Sequence, residues 1–224
     1  MLKLRAILLI IIFTAGASAC IAQSTADELV EGLRAKSNSI KSFEVTARIK
    51  VDVDFIDISE RQVKVTYKAP DKFSFDGEGL VLLPKNGVQM EYMSLLNSNH
   101  TAIESGSENI SGINTMIIKI IPESIDSDII LAQLWIEPEN TRLLRMKTFT
   151  KSSGSYLIDF SYAGPEDIMP SKLVVNFDIS NMSMPVKMMN DFMKIKSEAG
   201  SEKTESLKEA KVIIEYSGYK IDYY

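Results

Sequence analysis

Residues 43 to 55 read Phe-Glu-Val-Thr-Ala-Arg-Ile-Lys-Val-Asp-Val-Asp-Phe. Phe43, Val45, Ala47, Ile49, Val51, Val53 and Phe55 alternate with Glu44, Thr46, Arg48, Lys50, Asp52 and Asp54. Successive side chains of a strand point to opposite faces, so this stretch predicts one long strand with a dry face and a wet face. Just before it, Thr25 and Glu28 have the spacing of a capping box, and Leu29, Leu33 and Ile40 fall near one helical face. An amphipathic helix over about 25–40 should therefore feed the strand.

Beyond the strand, period two returns at Val63, Val65, Tyr67 and Ala69 and again at Phe73 and Phe75, with Pro70 marking a turn or bulge between them. Further strands are expected over 79–83, 88–95, 101–105, 115–121, 130–137, 142–150, 155–162, 171–179 and 211–221. Their separators carry turn chemistry, as in Lys85-Asn86-Gly87, Ser111-Gly112, Pro138-Glu139-Asn140 and Ala163-Gly164-Pro165. Short connections make sequential strands antiparallel neighbours. A mainly β (α+β) sheet of roughly nine to eleven strands must then curl or close to shield its apolar face.

One stretch breaks the rhythm. Met182, Met184, Met188, Met189 and Met193 lie close together, and positions 185, 188, 189, 192 and 193 share one helical face, with Pro185 suited to a first turn. A short amphipathic helix is expected within an insertion over about 183–208, followed by an acidic stretch with Glu198, Glu202, Glu205 and Glu209. Flexible, polarizable Met side chains suit a lid over the open side of a sheet, although a Met stripe at helical spacing is more often the filling of a loosely specified core.

Composition narrows the chemistry. The 224 residues are 45% apolar and contain one Cys, one His and one Trp. One Cys and one His cannot form an internal disulfide, a Cys/His zinc site or an iron–sulfur centre, so no cofactor or metal is expected. A net charge of −5 argues against a nucleic-acid partner, because phosphate binding needs a basic face. His100 lies in the polar run Ser98-Asn99-His100-Thr101 and reads as a solvated residue. Asp52, Asp54 and Asp57 resemble an acidic cluster only in sequence, since the first two belong to the wet face. Glu137, Glu139, Asp126 and Asp128 flank turns. With no phosphate loop or nucleophile elbow, the chain does not read as an enzyme.

The beginning of the chain decides the compartment. Lys3 and Arg5 precede an apolar run from Ala6 to Phe13 and small residues up to Ala22, which is the pattern of a signal peptide over 1–22, leaving one domain over 23–224. Eight apolar residues are too few to span a bilayer. A cut after Ala19 would leave Cys20 first, and Ala17-Ser18-Ala19-Cys20 resembles a lipobox whose cysteine becomes acylated. A cut after Ala22 would release a chain beginning at Gln23. Both readings place the protein outside the cytoplasm of a bacterium.

Three stretches carry a family likeness. Tyr67-Lys68-Ala69-Pro70-Asp71-Lys72-Phe73-Ser74-Phe75, then Leu134-Trp135-Ile136-Glu137-Pro138-Glu139-Asn140 with Leu143, Leu144 and Met146, and finally Glu215-Tyr216-Ser217-Gly218-Tyr219-Lys220-Ile221 resemble the LolA family of outer-membrane lipoprotein-sorting proteins, within the LolA/LolB-like superfamily. The resemblance implies an incomplete antiparallel barrel whose concave apolar face, covered by the N-terminal and the inserted helix, accepts acyl chains of lipoproteins or lipids. It also implies a monomer in the periplasm, with an inner-membrane lipoprotein exporter and an outer-membrane receptor as partners. The alternative is an outer-membrane protein anchored through Cys20 and acting as a lipid receptor or envelope sensor. The expected wall residues are Val45, Ile49, Val51, Val65, Tyr67, Phe73, Phe75 and Trp135, and the expected lid residues are Met188, Met189 and Phe192.

Overall fold

The computed structural model describes residues 24–53, 56–57, 60–77, 88–151, 154–178 and 209–224. Helix α1, Ser24–Asn38, leads directly into strand β1, Ile40–Val53. The helix ends earlier than its apolar pattern suggests. Ser39 closes the last turn, donating from its amide to the Ala35 carbonyl at 2.9 Å and from its hydroxyl to the Lys36 carbonyl at 2.7 Å. Ile40 is thus a fully buried strand residue and not part of the helical stripe.

The two residues Ile56–Asp57 form β2, which pairs with the end of β1. Strands β3, Arg61–Lys68, and β4, Lys72–Asp76, form a hairpin about Pro70. Helix α2 spans Val88–Asn97. The remaining strands are β5 (His100–Ile110), β6 (Ile113–Pro122), β7 (Ile129–Glu137), β8 (Arg142–Thr150), β9 (Ser155–Ser161), β10 (Lys172–Asp178) and β11 (Glu209–Tyr223). They join in the order β4-β3-β1-β11-β10-β9-β8-β7-β6-β5, antiparallel throughout. No pairing joins β4 to β5 among the described residues. The result is a curved, mainly β sheet with two open ends, an incomplete barrel carrying two helices.

The strand expected over 88–95 is helix α2 instead. Leu95 and Leu96 are adjacent in sequence yet both fully buried, and Met93 is buried while Ser94 is exposed. A strand with one wet face cannot bury both neighbours. A helix lying on the sheet can, because its apolar stripe is wide. Short apolar runs carry too few repeats to separate the two periods by sequence. The strand expected over 79–83, Phe55, the 1–22 leader with Cys20, and the Met-rich insertion with Met188, Met189 and Phe192 lie outside the described residues.

One apolar core joins the layers. Ala26, Leu29, Val30 and Leu33 of α1 and Met93, Leu95 and Leu96 of α2 belong to the same buried cluster as the dry face of the sheet. Burial of each large aliphatic side chain contributes about 1.5–3 kcal/mol. Turn chemistry fixes the register of the hairpins. Ser111 (φ 51°) and Gly112 (φ 90°) both take positive φ, the two-residue turn whose twist matches the flanking strands, and Asn109 Oδ1 accepts from the Gly112 amide at 2.9 Å. At the β7–β8 turn, Arg142 Nε donates to Glu137 Oε2 at 2.6 Å with both side chains over nine-tenths buried. Burial pushes the Glu137 carboxyl up, but hydrogen bonds from Arg142 and Asn140 and the charges of Arg142 and Lys36 outweigh it, so its pKa lies below the ordinary value.

Candidate functional site

The register of three strands assembles an aromatic wall at one end of the sheet. Phe43 stands opposite Tyr67 on β1 and β3, and Tyr67 stands opposite Phe73 on β3 and β4. Ring centroids lie 5.3 Å apart for Phe43 and Tyr67 and 4.7 Å apart for Tyr67 and Phe73. Phe75 continues the row, 6.4 Å from Phe73. Such tilted and offset arrangements are the preferred geometry of aromatic pairs. Tyr67 points its hydroxyl across the turn and donates to the Pro70 carbonyl at 3.1 Å. Burial, and then the charges of Tyr224 and Asp71, push its pKa above the ordinary value, so the phenol is neutral at physiological pH.

Beside this wall opens a cleft of about 600 Å³, within the range typical of small-molecule sites. Its apolar lining comes from Ile40, Tyr67, Phe73 and Met93, and its other sides are the β3–β4 turn, the junction of α1 with β1, the last turn of α2 and Tyr224 after β11. The two helices are clasped at its edge. Asn38 Nδ2 donates to Asn97 Oδ1 at 3.0 Å, Asn97 Nδ2 donates back to Asn38 Oδ1 at 3.3 Å, and Asn97 also donates to the Met93 carbonyl at 3.0 Å.

Of the residues expected on the wall, Tyr67 and Phe73 line the cleft. Val45, Val65 and Phe75 share one face beneath it, since Val45 opposes Val65 and Val65 opposes Phe75. Ile49 and Val51 lie further along the same face, opposite Ile214 and Val212, half-buried against the core. Trp135 is not brought to this face. Its neighbours Leu134 and Ile136 point into the core, so by strand alternation the indole stands on the other side. There its Nε1 donates to Glu108 Oε2 at 2.6 Å, and the Arg145 guanidinium sits 5.9 Å from the ring centroid while bonding Asp159 at 2.6 Å. Arg48 is exposed on the same outer side and pairs with Glu60 at 3.0 Å.

Met93, Asn38 and Asn97 are site residues that sequence reasoning missed. Met93 and Asn97 belong to α2, whose short apolar run does not separate the helical from the strand period by sequence. A group of partly buried tyrosines was missed too: Tyr92, Tyr162, Tyr216 and Tyr219, whose phenols burial pushes well above their ordinary range. Tyr162 donates to the Leu143 carbonyl at 3.0 Å and Tyr219 to the Pro170 carbonyl at 2.9 Å. His100 opens β5, where its Nδ1 lies 2.7 Å from the Ser98 carbonyl. Among the described residues no three His, Cys, Asp or Glu side chains are grouped to hold a metal ion, and no helix is long and apolar enough to cross a membrane.

A curved, open antiparallel sheet with two helices buried against one apolar face, and a cleft beside them, defines the LolA/LolB-like half-barrel. Solved structures share this fold, among them the following three. A DUF1329 family protein from Desulfovibrio piger aligns with a TM-score of 0.58 at 13% identity, covering 90% of this chain and 93% of the other. An outer membrane lipoprotein-sorting protein domain from Vibrio parahaemolyticus aligns at 0.55 and 7% identity, covering 89% and 93%. A LolA superfamily protein from Nitrosomonas europaea aligns at 0.54 and 9% identity, covering 88% and 94%. At these identities the likeness is one of fold. No protein-family model matches the sequence, and no curated protein matches it by sequence.

Proposed function

We propose that this chain is a lipid- or lipoprotein-binding carrier that shields acyl chains in its apolar half-barrel, acting in the periplasm in the sorting of lipoproteins to the outer membrane. The observation that carries the reading is the aromatic wall of Phe43, Tyr67 and Phe73 beside an open cleft of about 600 Å³. Each methylene withdrawn from water is worth about 0.8 kcal/mol, so an acyl chain with ten buried methylenes gains roughly 8 kcal/mol from such a site. Carriage needs adaptable apolar walls and no catalytic group, in keeping with a binding protein and not an enzyme. An inner-membrane exporter would load the cleft and an outer-membrane receptor would empty it, with Met188, Met189 and Phe192 covering the cargo.

The test is binding of a fluorescent fatty acid to the purified chain. Phe73→Ser should weaken binding about tenfold, the loss expected from one aromatic wall residue, with the far-ultraviolet spectrum unchanged. Ile103→Ser, on the edge strand and 46% exposed, serves as the control. Equal affinity in Phe73→Ser and the parent would overturn the reading. The second reading, an anchored receptor or sensor, rests on Ala17-Ser18-Ala19-Cys20, and the intact mass of protein from its bacterial host separates it: an acylated Cys20 supports anchoring, and a chain beginning at Gln23 supports the free carrier.

A further inference from the structure

We propose that the cleft discriminates by headgroup charge, accepting amphiphiles with neutral or positively charged heads and disfavouring anionic ones. The inference rests on the carrier reading and adds the class of ligand.

Four observations at the rim point the same way. First, no Lys, Arg or His lines the cleft among the described residues, and Asp71 is the one acidic side chain that does. Second, three of the hydrogen-bond donors that an anion would require are already used. Tyr67 donates to Pro70, Asn97 to Met93 and Ser98 to Leu95, each to a backbone carbonyl at 2.8–3.1 Å. An anionic head would have to compete for these donors with the carbonyls that already hold them. Third, Asp71 has no ion pair or hydrogen bond with any described residue, so its acceptor oxygens remain open to an incoming ammonium or hydroxyl. Its charge nonetheless reaches the Tyr67 hydroxyl on the cleft wall. Fourth, the two cations that flank the β3–β4 turn face away. Lys68 and Lys72 oppose each other across β3 and β4, and strand alternation sets both on the face opposite Tyr67 and Phe73.

A positive head placed about 4 Å from the Asp71 carboxylate in a water-exposed rim gains about fivefold in affinity, and an anionic head loses as much. The chain length then sets the overall affinity, and the rim sets the choice among heads.

The experiment is displacement of a neutral fluorescent probe, phenylnaphthylamine, from the full chain by amphiphiles with the same dodecyl tail below their micelle thresholds. Dodecyltrimethylammonium and dodecyl maltoside should displace the probe at concentrations at least about fivefold lower than laurate at low ionic strength. The gap should narrow in about 1 M salt, where screening acts within roughly 3 Å. Asp71→Lys should invert the order of the ammonium and the carboxylate. The readout is the ratio of their two concentrations within each protein, so a general loss of affinity in the variant cancels. Equal displacement by all three heads, or a ratio untouched by Asp71→Lys, would overturn the inference and leave the carrier reading standing. Failure of the parent chain to bind the probe or any dodecyl amphiphile would overturn both.

Discussion

Thr148 sits on the dry face of β8, opposite Ala132 of β7 and Tyr156 of β9, with its hydroxyl fully buried and without a hydrogen-bond partner among the described residues. A buried hydroxyl left unpaired carries its desolvation cost with nothing to offset it. Replacing it with a methyl removes that cost and keeps the branch at Cβ. Thr148→Val should therefore raise the stability of the chain by about 1 kcal/mol, read as a higher urea midpoint at unchanged slope. A lower midpoint would show that the hydroxyl does find a partner. Trp135 makes the complementary point. As the lone tryptophan beside Leu134 and Ile136 it reads as a wall residue, yet period two in β7 gives the core to its neighbours and sends the indole outward to Glu108 and Arg145.

Helix α2 is the element on which the cleft depends. It contributes Met93 to the lining and Asn97 to the clasp with α1, and it is anchored by Leu96, which is fully buried. Truncation of Leu96 to Ala should cost about 3 kcal/mol of stability, the usual price of a buried leucine with its cavity, measured by urea unfolding. A loss below about 1 kcal/mol would mean that α2 is only loosely seated. Strands β1, β3 and β4 behave differently. Their alternation was legible from Phe43 to Phe75, because one wet and one dry face impose a strict period of two over many residues. The run from Val88 to Leu96 was not legible, because its apolar residues satisfy both periods until burial of adjacent leucines separates them.

At the scale of the whole molecule, the barrel interior gathers phenols that remain neutral. Tyr92, Tyr162, Tyr216 and Tyr219 come from α2, the end of the β9 segment and β11, and burial raises the pKa of each. The sign follows from linkage. Unfolded tyrosines ionise near pH 10 while the folded ones do not, so stability is intact below about pH 10 and is lost as pH rises above it. Each such phenol withdraws roughly 1.4 kcal/mol per pH unit in that range. Cooperative unfolding should thus set in within one to two units above about pH 10, together with the phenolate absorbance change. Phenolate absorbance appearing without loss of structure would contradict it. The sequence by itself determined the long amphipathic strands and the turns between them, because periodicity and turn chemistry are local properties of a chain. Only the tertiary structure decided that β1 lies between β3 and β11, that Val88–Asn97 is a helix, that Trp135 faces outward, and that Asn38, Tyr67, Asp71, Phe73, Met93 and Asn97 surround one cleft. Strand pairing across 180 residues, as between Ser42 and Asp222, is fixed by which registers bury the most apolar surface together, and no local pattern records that choice.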